Sequence, residues 1–154
     1  MSDESADFAT IDQLMKALYD SISGPPGGQD FELSRRLQHP DVRLVRTRLD
    51  ESGKPLALSF SGDEYEANAK ALLAGMPFYE VETARRTVRF GNIAQVFSSY
   101  EARHKLADPA PFLRAINSMQ LLNDGKRWWV LTVAWSPESI EHPLPKQYSE
   151  KAGR

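Results

Sequence analysis

The sequence predicts an α+β fold: a strongly curved, mainly antiparallel six-stranded sheet packed on three helices to make a cone-shaped barrel. Three observations lead there. Helical periodicity comes early, with Phe8, Ile11, Met15, Leu18 and Ile22 recurring at three- and four-residue steps on one face. Four long strand-forming runs come late, separated by short turns, which makes neighbours antiparallel. The last run, Trp128 through Trp135, is apolar at odd and even positions alike. Side chains alternate across a strand, so both faces of that strand need cover. Helices supply one side, and the other is expected to be covered by a second subunit.

In order, the first helix spans 8–23 with Thr10 as a candidate cap. It is stopped by Gly24, Pro25, Pro26, Gly27 and Gly28, since proline lacks the amide donor and glycine favours open backbone. A short helix over 30–38 ends at His39-Pro40, because the residue before proline avoids the helical region. Strands at 42–49 and 56–60 flank a turn at 50–55. Ser61 and Glu64 have capping-box spacing and open a third helix over 63–74, ended by Gly75 and Pro77. Strands follow at 78–90 and 93–105, joined at Gly91-Asn92, and then a hairpin from Phe112 to Trp135 turns at Asn123-Asp124-Gly125-Lys126. One domain over 1–136 is expected, followed by an extended, mobile tail over 137–154 containing Pro137, Pro143 and Pro145.

Composition narrows the function classes. The 154 residues suffice for one domain with a substantial core. With 19 basic against 21 acidic residues the formal net charge is -2, which offers no general attraction for nucleic acid or anionic membranes. Zero cysteines exclude disulfides and thiolate sites. No run approaches membrane-spanning length and the amino terminus is acidic, so a cytoplasmic location is expected. His39, His104 and His142 lack ligand spacing, so neither a metal site nor a cofactor is predicted.

The order of elements, the His39-Pro40-Asp41-Val42 junction, and the terminal pattern Asn123-Asp124-Gly125, Trp128-Trp129-Val130 and Val133-Ala134-Trp135 resemble the nuclear transport factor 2-like superfamily. That superfamily includes SnoaL-like cyclases and ketosteroid isomerases. The resemblance covers about 6–135 and implies a cystatin-like cone, an internal pocket and homodimers formed through the outer sheet face. It does not imply one activity. The aspartate that ketosteroid isomerases use as base corresponds here to about Arg46, a charge reversal that argues against that activity. Their oxyanion-stabilising tyrosine corresponds to Tyr19 on the first helix.

The candidate catalytic residues are Tyr19, His39, Asp41 and Glu101, and the candidate ligand contacts are Asn117, Gln120, Arg114 and Trp135. His39 and Asp41 flank a proline and would suit proton transfer, or simply end a helix and start a turn. Glu80, Glu82, Arg85, Arg86, Arg89, Glu101, Arg103 and Arg114 lie where a pocket would be built. Cross-strand pairing accounts for such a set, unless one of them is buried in the cone. Asn117 sits among large apolar neighbours and needs partners if buried. The function expected is binding of a small apolar or carbonyl-containing ligand, with isomerase, lyase or cyclase chemistry by acid/base catalysis. The alternative is a non-catalytic association module.

Overall fold

A computed structural model describes residues 7–149. The elements run α1 (Ile11–Ile22), α2 (Phe31–Leu37), β1 (Gln38–Leu49), β2 (Pro55–Phe60), α3 (Gly62–Leu73), β3 (Tyr79–Phe90), β4 (Ile93–Arg103), β5 (Leu113–Asn123), β6 (Trp128–Pro137) and α4 (Lys146–Ser149). The strands form one open mixed sheet in the order β2-β1-β6-β5-β4-β3. β1 is parallel to β6 and every other pair is antiparallel.

Each long helix starts where its cap dictates. Thr10 accepts from the Gln13 amide at 3.1 Å while the Gln13 side chain takes the Thr10 amide at 3.2 Å. Ser61 and Glu64 repeat this reciprocal pattern at α3. After α1, Gly24 exchanges two backbone hydrogen bonds with Phe78, tying the Pro/Gly turn to the start of β3. Gly91 and Gly125, at φ of 54° and 95°, take the left-handed turn positions in the two hairpins. Pro40 lies inside β1, at a break in the β1–β6 register between Gln38 and Arg43 that absorbs its missing donor.

Two bulges set which side chains point inward. Gln120 pairs with Thr132 and Leu121 with Val130, so Leu131 is an extra residue in β6. Strict alternation would separate Trp128 and Val130 from Val133 and Trp135. The bulge instead turns all four inward, with Trp128 and Val130 each 1% exposed. The doubly apolar run therefore marks a change of phase, not two buried faces. Thr83 is the extra residue in β3, placing Arg85 on the side of Glu80 and Glu82 where alternation predicted Arg86.

The core lies between the inner sheet face and α1–α2, built on Leu14, Met15, Leu37, Val96, Met119 and Trp128. Part of the outer face is covered by the chain itself. Beyond β6 the segment predicted as extended folds back: Arg114 donates twice to the Glu138 carboxylate, at 3.0 and 2.8 Å, and Glu138 also accepts from the Leu144 amide. Tyr148 on α4 is buried, its ring 6.0 Å from that of Phe97. Residues 150–154 of the predicted tail lie outside the described residues.

Candidate functional site

The sheet and helices leave a cavity of about 300 Å³, lined by Leu18 and Ile22 of α1, Tyr65, Ala69 and Leu73 of α3, and inward residues of the strands. Leu44, Phe78, Leu113, Val133 and Trp135 make most of the sheet wall apolar. Set into this wall are Arg46, Glu80, Tyr100 and Asn117. Such a concave, mainly apolar space with a few convergent polar groups is the usual form of a small-ligand site.

Glu80 is the exceptional group. Its partner across the β3–β4 pair is Ala102, so no side chain opposite it can neutralise it. Among the described residues its carboxyl has no hydrogen-bond or ion-pair partner. Glu80 is partly buried and lines the cavity. Burial pushes its pKa up from 4.5 to about 8. Tyr65 and Tyr100 stand close enough that burial, and then the Glu80 charge, raise both phenols, which stay neutral. Neither phenol has a hydrogen-bond partner among the described residues.

A second polar group backs the wall. Tyr19 is 6% exposed, and its hydroxyl lies 2.6 Å from Ser98 Oγ and 3.1 Å from Asn117 Nδ2. Ser98 donates its single hydroxyl proton to the Glu82 carboxylate, which Arg85 grips with Nε and Nη2. Ser98 must therefore accept from Tyr19, and Tyr19 must accept from Asn117. Asn117 is thereby held with Nδ2 toward Tyr19, leaving its Oδ1 as a free acceptor at the cavity. Burial, the largest cause, raises the Tyr19 phenol well above its ordinary value, so it is a fixed donor.

Of the residues singled out from sequence, Asn117, Trp135 and Arg46 line this cavity, and Tyr19 stands behind its wall, bonded to Asn117. The other five stand elsewhere. His39 and Asp41 lie at the α2–β1 junction beside a separate groove, where His39 Nδ1 accepts the Asp41 amide and its ring meets Trp129 edge-on at 6.0 Å. Glu101 pairs with Arg103 at 2.7 Å on the outer face, opposite Arg114. Arg114 is taken by Glu138, and Gln120 is exposed on the same outer face. The parity of β4 and β5 decides this: Ala102, Tyr100 and Ser98 face inward, as do Ala115, Asn117 and Met119, so the residues between them face out.

Sequence reasoning missed Tyr65 and Tyr100 and left Glu80 within a larger charged set. Tyr100 shares the inward parity of Ala94, Val96 and Ala102, and Tyr65 sits one and two turns before Ala69 and Leu73. Those patterns were available. The role of Glu80 depended on its unmatched partner Ala102, which only the register reveals.

Among the described residues no helix is long and apolar enough to cross a membrane, and no cluster of three or more His, Asp or Glu side chains could hold a metal ion.

No protein-family model matches the sequence, and no curated protein matches it. Solved structures do match the fold. A protein of unknown function with a cystatin-like fold from Nostoc punctiforme is 13% identical with a TM-score of 0.65, over 84% of this chain and 90% of that one. The β subunit of a provisionally assigned aromatic-ring-hydroxylating dioxygenase from Novosphingobium aromaticivorans is 13% identical with a TM-score of 0.65, over 94% and 100% of the respective chains. A provisionally assigned dehydratase of the nuclear transport factor 2-like family from Streptomyces avermitilis is 14% identical with a TM-score of 0.58, over 88% and 98%. The chain has the cystatin-like fold of the nuclear transport factor 2-like proteins.

Proposed function

We propose that the chain binds a small, largely apolar carbonyl compound in the cavity and moves a proton on it, with Glu80 as the general base and acid. One observation carries this reading: a carboxyl without a partner lines a mainly apolar cavity. A buried, unpaired carboxyl costs stability, and such costs concentrate at sites of chemistry. When ionised, Glu80 removes a proton from the carbon next to the carbonyl. The C–H electron pair moves to the carbonyl oxygen, and Tyr65 or Tyr100 donates a hydrogen bond to the oxyanion. Return of the proton from Glu80 to a carbon completes an isomerisation, and loss of a leaving group completes an elimination. Asn117, oriented by Tyr19, and Trp135 position the ligand. Incubation with 2-tetralone in deuterium oxide tests the reading. Proton NMR should show deuterium entering beside the carbonyl faster than in buffer, with the acceleration lost in Glu80→Gln and reduced in Tyr100→Phe. No acceleration by the wild-type protein contradicts it.

A second reading, association of two copies, rests on the outer face where α4 does not reach. Val88, Phe90 and Ile93 are 60%, 84% and 55% exposed there, a patch that a second copy would cover. Size exclusion should then give a dimer for the wild type and a monomer for Phe90→Lys. A monomeric wild type sinks that reading.

A further inference from the structure

Arg46 is the other ionisable group in the cavity lining besides Glu80 and the phenols, and its surroundings differ from those of a structural arginine. It reaches the cavity from β1, flanked by the ring of Phe60 at 5.7 Å and that of Trp135 at 5.9 Å. Among the described residues its one hydrogen bond is from Nη2 to Asn68 Oδ1 on α3 at 2.8 Å, and no carboxylate lies within ion-pairing distance. Arg35, Arg36, Arg85, Arg103 and Arg114 each have a carboxylate partner. Arg46 and Glu80 make no ion pair, and both line the cavity together with Tyr65 and Tyr100. Asn68 takes one Nη2 donor and two aromatic rings flank the guanidinium, which leaves its other donors without a side-chain partner among the described residues.

We infer that the cavity takes a small apolar acid, whose carboxylate is bound by Arg46 beside Trp135 while its hydrocarbon body extends toward Glu80. This inference rests on the reading of the cavity as a ligand site and adds the ligand's charge. A monoanion supplies the counter-charge that the chain withholds from Arg46. A neutral ligand of the same shape leaves the guanidinium desolvated and unpaired. Because Arg46 and Glu80 are not paired with each other, a carboxylate on Arg46 leaves Glu80 to a different part of the ligand, as in an acid carrying a second, enolisable carbonyl.

The test compares two probes of equal shape, 2-naphthoate and 2-naphthamide, by isothermal titration calorimetry. Wild-type protein should bind the acid at least about tenfold more tightly than the amide, a difference that falls to about threefold or less in Arg46→Met. Glu80→Gln should keep the preference. Asn68→Ala, which frees the guanidinium without removing its charge, should narrow the preference without reversing it, and provides the comparison if Arg46→Met does not fold. Equal binding of the two probes, tighter binding of the amide, binding of neither at millimolar concentration, or a preference that survives Arg46→Met overturns the inference. Deuterium exchange failing while the acid preference holds overturns only the proton-transfer reading. Exchange proceeding without the preference overturns only the assignment of Arg46.

Discussion

Tyr19 on α1 accepts a 3.1 Å hydrogen bond from Asn117 on β5, and the direction of that bond is dictated two residues away, by the Glu82 carboxylate that takes the proton of Ser98. The Asn117–Tyr19–Ser98–Glu82 chain thus runs one way, from the cavity to the Arg85 guanidinium near the surface. It joins α1 to three strands and fixes which atom Asn117 shows to a ligand.

Removing the middle of that chain has a defined cost. Tyr19→Phe deletes the acceptor of Asn117 and the donor to Ser98, leaving buried polar atoms unsatisfied. It should destabilise the fold by about 1–3 kcal/mol in urea unfolding. Ser98→Ala should cost a similar amount, and the double variant less than the sum, because both changes break one network. Additive losses would show that the groups act independently.

Glu80 gives stability a distinctive pH dependence. Its folded pKa of about 8 lies above its ordinary value of 4.5, so between those values the folded state holds a proton that the unfolded state has lost. Ionisation in the folded state is the unfavourable event. The contribution of this group to stability falls as pH rises from about 4.5 and levels off above about 8. Glu80→Gln should therefore gain on the wild type across that window in thermal unfolding. A constant difference from pH 4.5 to 8 would contradict the burial of the carboxyl.

The C-terminal cover can be detached without touching the cavity. Tyr148→Ala removes the ring that seals α4 onto Phe97, and the Pro143–Pro145 stretch has little regular hydrogen bonding of its own. Trypsin should then cut at Lys146 several-fold faster than in the wild type, with ligand binding unchanged. An unchanged rate of cleavage would mean that Glu138 and its bonds to Arg114 and Leu144 hold the segment unaided.

Much of the fold was legible because it is written locally. Thr10, Ser61, Gly91 and Gly125 each state where an element starts or turns, and the structure uses each of them there, whereas Pro40, read as a helix stop, lies inside β1. The C-terminal cover was not legible, since its anchors, Glu138 to Arg114 and Tyr148 to Phe97, are long-range pairs inside a proline-rich stretch. The cavity was half legible for a related reason. Asn117 stood out by contrast with its apolar neighbours, and Tyr19 and Arg46 through the resemblance in the order of elements. The inward turn of Arg85 and the two-set composition of the β6 face depend on single-residue bulges at Thr83 and Leu131, which leave no mark on composition. A bulge reverses every later assignment on its strand, so alternation counted from one end fails beyond it.

The most direct measurement is the titration of the Glu80 side chain itself. Carbon-13 NMR of protein labelled at the glutamate side-chain carboxyl, with Glu80 assigned by its absence in Glu80→Gln, follows its protonation between pH 3 and 9. A carboxyl without a partner in this mainly apolar cavity should titrate near 8. Titration near its ordinary value of 4.5 would place that carboxyl in water, and the cavity would lose the group on which its proposed chemistry depends.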